Sequence, residues 1–483
     1  MAGVIVEPGR APNESSRRAK AADRVRRRLS TLMNAALVRS LVRRGSFDSL
    51  GDRFAHGAAW SLLSSVASRG FTLIAGFVLA HLLGRSGFGE FSTVQSTVGT
   101  VLVLAGLGLG MTATKYVAEL RHVDPGRASR MAAFCGTMGL LVGVAFGSCL
   151  VAFAHPIAAR LLGADRLATP IRVSAILILF GTLVNMQNGA LTGLEAFDSI
   201  ARISLVTGPV GLILVTIGTV NAGVTGAIFC LGVTQALNWT LNRRALALRL
   251  NTEAMPVFIW PTRREWSALY HYSAPTLASS LLIAVTNWAA IALLVNTRNG
   301  YSQMGIFGAA NQWLIALLVL PTIIGQVVFP HATRILKTDQ QAAFKMLRGS
   351  TILAATISLP IVLLGSLASP WIMRAYGAGF NGTWITLIVV LCTAGVMAVQ
   401  TPAIHVISAS GRMWLLLATY LLWSSIFIGG AALGSSHGAN GLAAARLIAY
   451  VIHSFSIVVL ARYVLRNPNG AAATSPTEQE QPE

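Results

Sequence analysis

"SLLSSVASRGFTLIAGFVLAHLL", residues 61–83, is an apolar run with one full charge, Arg69. At about 1.5 Å of rise per residue such a helix crosses the ~30 Å core of a bilayer and leaves the guanidinium near its middle. A cation at that depth costs at least ~2.5 kcal/mol, so the fold must give it somewhere to point. Ser61, Ser65, Thr72 and Gly76 share its face at spacings of three and four. A face of small and polar residues belongs against protein or water. Snorkelling to the headgroups would need a reach of roughly 10 Å, which favours an internal cleft.

The rest of the chain fits this reading. Hydrophobic residues make up 54% and charged residues 11% of 483, too apolar for a soluble protein of this size. Cys135, Cys149, Cys230 and Cys392 lie within apolar spans with no CxxC and no histidine at ligand spacing, so neither disulfide, metal nor cofactor is expected. The formal charge of +20 is concentrated at the start: residues 1–53 hold twelve Lys/Arg and five acids, including "RVRRR" at 24–28. No apolar core follows these charges before Ala58, so no cleavable signal is expected. Leu29, Leu32, Met33, Ala36, Leu37 and Leu41 recur at helical spacing in the arm. It reads as a basic amphipathic helix on anionic lipid or as a disordered arm that sets orientation, not as a nucleic-acid binder.

Apolar windows predict twelve helices, near 57–83, 90–114, 131–154, 170–192, 201–221, 224–245, 270–296, 305–330, 350–369, 382–407, 413–433 and 440–463. The short loops on one side carry only Arg85, Arg160, Arg166, Arg172, Arg298 and Arg374. The other side holds the arm, "KYVAELRHVDPGRASR" (115–130), "RRALALR" (243–249), Arg263, Arg264 and the run from Arg334 to Arg348. The positive-inside rule then places both termini in the cytoplasm. The expected organisation is a basic arm (1–53), a first six-helix bundle (54–248), a cytoplasmic linker (249–268), a second bundle (269–465) and a disordered tail (466–483).

The two bundles echo each other. "PIAARLLG" (156–163) parallels "PWIMRAYG" (370–377), and "GEFSTVQS" (89–96) parallels "GIFGAANQ" (305–312), both at an offset of about 215. Six spans per half keep the halves in one orientation, related by a pseudo-twofold along the membrane normal. That is the architecture of an alternating-access transporter.

The stretch "LLGRSGFGEFSTVQSTVGTVLVLAGLGLGMTATKYVAEL" (82–120) resembles the opening of the Wzx-type oligosaccharide-lipid flippases of the MOP superfamily, whose fold is MATE-like. The resemblance rests on the turn Leu83-Gly84-Arg85-Ser86-Gly87-Phe88-Gly89, the Gly-rich span after it and the run Lys115-Tyr116-Val117-Ala118. "VVFPHATRIL" (327–336) looks like the counterpart in the second half. The resemblance covers roughly residues 55–465 and leaves the basic arm unexplained. It implies an inner-membrane flippase that moves a polyprenyl-diphosphate-linked oligosaccharide between leaflets for exopolysaccharide, capsule or O-antigen synthesis. Its partners would be that substrate, membrane lipids and other polysaccharide-assembly proteins.

The residues test this independently. All seventeen acids fall in loops, termini or span ends, Glu90 and Glu119 bracketing the second span. A cation antiporter of the same fold would need a carboxylate at membrane depth, so the drug or metabolite antiporter is the second reading. A membrane enzyme is third, because no nucleophile–base pair or phosphate loop is visible. A cationic cleft suits a diphosphate, which arginine grips with several donors. The expected substrate-binding residues are Arg69, Lys115, Gln95, Asn287, Asn311, Gln312, His331 and Arg446. Thr276, Ser280 and Asn287 form the matching face of the seventh span; Gln95 aligns with Asn311, and Lys115 with His331. The competing readings are interhelical hydrogen bonding for the Asn and Gln residues and interfacial anchoring for Lys115 and His331. Arg446 lies about two turns into the last span, and snorkelling to the outer headgroups is favoured for it.

Overall fold

The computed structural model describes residues 50–106, 108–250, 263–319, 340–410 and 412–466, with side chains from 65 onward except within 263–276 and at 340. In chain order the helices are α1 (Leu50–Gly106), α2 (Leu109–Leu120), α3 (Pro125–Pro156), α4 (Ala168–Val173), α5 (Ala175–Gly193) and α6 (Phe197–Arg249). They continue with α7 (Arg263–Val295), α8 (Gly300–Leu317), α9 (Gln340–Ala375), α10 (Trp384–Ala409), α11 (Met413–Gly434) and α12 (Gly438–Arg466). Eight helical stretches of the described residues are long and apolar enough to cross a membrane. The basic arm to residue 49, most of the 249–268 linker, His331 with "VVFPHATRIL" and the tail from 467 lie outside the described residues.

Several stretches are too long for one crossing. The 57 residues of α1 would extend about 85 Å as a straight helix, well beyond a bilayer. Its backbone leaves the helical region at Gly84 (φ 66, ψ −178), where a first leg ends and a second begins. The 53 residues of α6 break at Ala222 and Gly223. There Gly218 lies against Gly226, and Gly211 against Thr234, so the two legs run back along each other. Helices α11 and α12 form a similar hairpin, with Gly434 against Gly441 and Gly430 against Ala445. Small residues let these backbones approach, which is how helices associate where lipid supplies no hydrophobic drive.

The internal repeat is visible in the backbone itself. Left-handed conformations occur at Gly84 and Asn299, at Gly163 and Gly377, and at Gly223 and Gly438. Each pair is separated by 214 or 215 residues, the offset of the sequence echoes. Such conformations cost an ordinary L-residue 1–2 kcal/mol, so Gly and Asn mark the reversals.

One expected span is corrected. The apolar window predicts a continuous second span over 90–114, but the helix ends at Gly106, and Gly108 (φ 68) caps a separate α2. The run "AGLGLG" (105–110) carries three glycines in five positions, too little side chain and too much backbone freedom to hold one helix. Lys115 therefore sits on α2.

Candidate transport cleft

The two halves meet at the end of the molecule that carries Gly84. The second leg of α1 crosses α8 so closely that a methyl group on Gly89 would strike the Tyr301 carbonyl, and one on Gly305 the Arg85 carbonyl. The Arg85 guanidinium donates to the carbonyls of Ser302 (3.2 Å) and Gly379 (3.4 Å). The Tyr301 hydroxyl donates to Leu162 O at 2.7 Å, and Asn296 Nδ2 to Leu161 O at 2.8 Å. Glu90 accepts from Arg166 at 2.8 Å, and that guanidinium lies 5.1 Å from the Tyr301 ring centre. Phe88, Tyr376 and Phe380 pack beneath, all buried, with ring centres 5.7–6.2 Å apart. Contacts continue inward through Trp288 Nε1 to Thr97 Oγ1 (3.0 Å) and Thr100 Oγ1 to Ala284 O (3.4 Å).

Arg69 lies on the first leg of α1. Ser68, Arg69 and Thr72 are exposed, and Gly76, two turns further and 20° from Arg69 around the helix, is buried. A side chain on Gly76 would run into the amide of Gln312 on α8. The face that carries Arg69 is thus the face that closes on the second half at Gly76. Val66 and Ile74, large exposed apolar residues at 57% and 46%, lie about 60° and 140° around the helix from Arg69, on the flank away from Thr72 and suited to lipid. Nearby, Thr72 donates to Ser68 O and Asn287 Nδ2 to Ile283 O, each at 2.8 Å, which leaves Thr72 Oγ1 and Asn287 Oδ1 able to accept.

A cavity of about 600 Å³ opens between the second leg of α1, α2, α5 and α7. Its polar lining comes from Thr114, Thr182, Asn185, Asn188, Thr192 and Ser280. The glycines of the α1–α2 break, Gly106, Gly108 and Gly110, form one wall, and Gly189 of α5 packs on the Gly110 carbonyl. Asn188 accepts from Asn242 at 3.0 Å, which orients its amide. The volume suits a small ligand or part of a larger one. Among the described residues no charged one lines it, so these offer hydrogen bonds and apolar contact to an uncharged group. Sequence reading missed Asn185 and Asn188; "NMQN" (185–188) inside the fourth span was the available signal.

The snorkelling expectation for Arg446 is corrected. This residue is 4% exposed in the interior of the second half. Its Nη1 donates to Asn311 Oδ1 at 2.8 Å, and the Phe307 ring centre lies 4.7 Å from the guanidinium carbon. Nε and Nη2 find no partner among the described residues. Ala443, Ala445 and Ala449, all buried on the same helix, leave room for the guanidinium to fold inward.

Asn311 and Gln312, adjacent on α8, therefore serve different directions. Asn311 faces Arg446, while Gln312 accepts from Tyr376 at 3.0 Å and covers Gly76 of the first half. Gln95 is half-buried on the second leg of α1. Lys115 is exposed on α2, 5.5 Å from the Tyr116 ring centre. The expected residues thus form no single cluster: Arg69, Gln312 and Gln95 belong to the helices at the junction, Lys115 to the far end, and Arg446 with Asn311 to the second-half interior.

A family model described as "Polysaccharide biosynthesis protein" matches residues 54–336. Among curated proteins, the chain is 23% identical over 428 residues to the EPS I polysaccharide export inner membrane protein EpsE of Ralstonia nicotianae, covering 87% of this chain and 95% of that one. Among solved structures, it resembles an inward-facing multidrug resistance MATE transporter of the MOP superfamily, with a TM-score of 0.68, 12% identity and coverage of 91% and 99%. It also resembles a MOP superfamily transporter from Pyrococcus furiosus, with a TM-score of 0.64, 14% identity and coverage of 90% and 99%. The fold is that of the MATE-like MOP transporters, and the chain belongs to the polysaccharide biosynthesis protein family.

Proposed function

We infer that this protein is a flippase that carries a polyprenyl-diphosphate-linked oligosaccharide across the cytoplasmic membrane for export as surface polysaccharide. The observation that carries this is Arg69, exposed on the face of the first leg of α1 that closes on the second half at Gly76 and Gln312. A cation on an internal face, with no acidic partner among the described residues, suits an anionic substrate. Family membership and the likeness to a polysaccharide export protein support the same substrate class.

In this reading the diphosphate pairs with Arg69, and Lys115 attracts it at the cytoplasmic entrance. Sugar hydroxyls would meet the uncharged amides of Asn185 and Asn188 in the neighbouring cavity. With the arginine-poor Gly84 end outside, this conformation is closed to the exterior and represents the loading state. Opening there would require separating Gly89 from Gly305 and Arg85 from Ser302 and Gly379. Transport then needs rearrangement of the halves and no covalent step, so the protein is not an enzyme.

The antiporter reading is disfavoured by charge. From Gln340 to Thr477 the sequence has no Asp or Glu, and all the acids of the chain lie at span ends or beyond them. Deleting the gene should accumulate the lipid-linked oligosaccharide on the cytoplasmic leaflet and remove the surface polymer. Intact surface polymer with raised sensitivity to cationic drugs would replace this reading with the antiporter. Reporter fusions within 251–262 should read as cytoplasmic, and an exterior signal there would overturn the orientation.

A further inference from the structure

Asn185 stands near the middle of α5, at membrane depth, exposed to the cavity that α5 shares with α1, α2 and α7. Its amide has no hydrogen-bond partner among the described residues. An asparagine that serves to join two helices bonds across to its neighbour, as Asn311 does with Arg446. Asn185 faces two glycines instead. Its Nδ2 lies 3.6 Å from the place a Cβ on Gly106 would take, and its Oδ1 3.2 Å from the same place on Gly110. With no side chain on that wall, the amide stays open to whatever enters the cavity. An unpaired amide at this depth is costly unless water or a ligand meets it.

The hydroxyls around it already have acceptors. Thr182 donates to Ile178 O and Thr192 to Asn188 O, each at 2.8 Å. Thr114 shares its hydrogen between Gly110 O at 3.0 Å and Gly189 O at 2.9 Å. What these threonines present to an occupant is lone pairs. A sugar hydroxyl both donates and accepts, so it can bond a threonine and Asn185 together. A carboxylate has only lone pairs and would face lone pairs. Turning a threonine hydrogen toward it surrenders a bond already made, about 1 kcal/mol each time. Among the described residues no Lys or Arg lines the cavity to balance the charge, and an unpaired ion taken out of water costs about several kcal/mol.

We propose that this cavity selects the sugar: it takes an uncharged sugar of the repeat unit and turns away acidic ones. The proposal rests on the flippase reading and deepens it by naming the sugar class. Charge is then read at Arg69, on the first leg of α1, and its absence is read here, beside the second leg. At about 600 Å³ the cavity is of the size that encloses a drug-sized group, and a disaccharide is such a group. Leu102, Val103, Met111 and Leu277 supply apolar wall, which suits the C–H face of a sugar ring or the methyl of an acetamido or deoxy substituent. Among the described residues Leu277 and Ser280 come from the second half and the rest of the lining from the first. Rearranging the halves therefore takes the cavity apart and releases the sugar.

Two fluorescent polyprenyl-diphosphate disaccharides test this, alike except that the sugar on the diphosphate carries a CH₂OH group in one and a carboxylate in the other. In proteoliposomes the full-length wild type should move the acidic probe at least about tenfold more slowly than the neutral one. Equal rates overturn the proposal and leave the flippase reading in place, and this comparison needs no variant. Asn185→Arg, which sets a cation in the cavity, should narrow the gap from both sides; an unchanged gap in the inserted variant also overturns the proposal. Binding is read separately in nanodiscs, with a diazirine on the neutral sugar. Crosslinks should fall within 102–114 and 181–192, and unlabelled neutral carrier should suppress them about tenfold better than acidic carrier. Crosslinks confined to other segments overturn the proposal. Crosslinks with that preference in a wild type that moves neither probe overturn the flippase reading and leave the neutral-sugar site supported.

Discussion

Gly76 and Gln312 meet across the two halves with no space between them, the amide of Gln312 occupying the place where a Cβ on residue 76 would lie. Tyr376 fixes that amide through its hydroxyl at 3.0 Å, and Phe77, the next residue on α1, packs on the Tyr376 ring at 4.4 Å. Closure at this level therefore depends on residue 76 having no side chain. Gly76→Ala should displace Gln312, break its bond to Tyr376 at a cost of about 1 kcal/mol, and reduce export in part. Adding Gln312→Ala should restore export, because the second change removes the group displaced by the first. Surface polymer from the two single variants and the double variant measures this; equal losses in Gly76→Ala with and without Gln312→Ala would show that the contact does not govern closure.

The Arg446–Asn311 bond predicts an asymmetry. Removing Asn311 leaves a buried guanidinium without its one hydrogen-bond partner among the described residues, whereas removing Arg446 leaves only a neutral amide. Asn311→Leu should lower stability by about 2–3 kcal/mol, seen as a reduced Tm in detergent. Arg446→Met, which keeps the volume and contact with Phe307, should be near neutral in Tm. A larger loss from Arg446→Met than from Asn311→Leu would contradict this account.

The cavity between α1, α2, α5 and α7 should contribute recognition and little stability. Asn185 lines it beside Gly106 and Gly110, with its side chain 3.6 Å from the place a Cβ on Gly106 would take. Asn185→Leu fills the cavity with an apolar side chain, and export should fall about tenfold with membrane abundance unchanged. Unchanged export would remove this cavity from the transport route.

Much of this fold was legible because lipid imposes a simple rule. Span length and apolarity, the reversal at Gly84 and the repeat offset all follow from a backbone that must satisfy itself within hydrocarbon. The break at residues 106–109 was less legible, because apolar windows average over three glycines that the backbone feels one at a time. Depth along a helix was readable, but rotation was not. Depth alone predicts that Arg446 reaches outward, while its packing against Asn311 and Phe307 turns it inward. Arg446, Tyr450 and His453 at positions i, i+4 and i+7 form one face, and that spacing was the available sign that α12 buries a polar stripe. The roles of Asn311 and Gln312, one residue apart, divide between the two sides of α8, and only the packing partners reveal it.

The central claim is that Arg69 meets the diphosphate of the lipid carrier. The most direct measurement compares surface polymer with membrane abundance for the wild type, Arg69→Ala and Arg69→Lys in a strain lacking the chromosomal gene. Arg69 has no ion pair among the described residues, so its removal should leave the protein inserted and abundant. Export should be lost in Arg69→Ala and only partly restored in Arg69→Lys, where a point charge replaces a planar fork of donors. Normal polymer from a stably inserted Arg69→Ala protein would contradict the account and leave the arginine as a bystander.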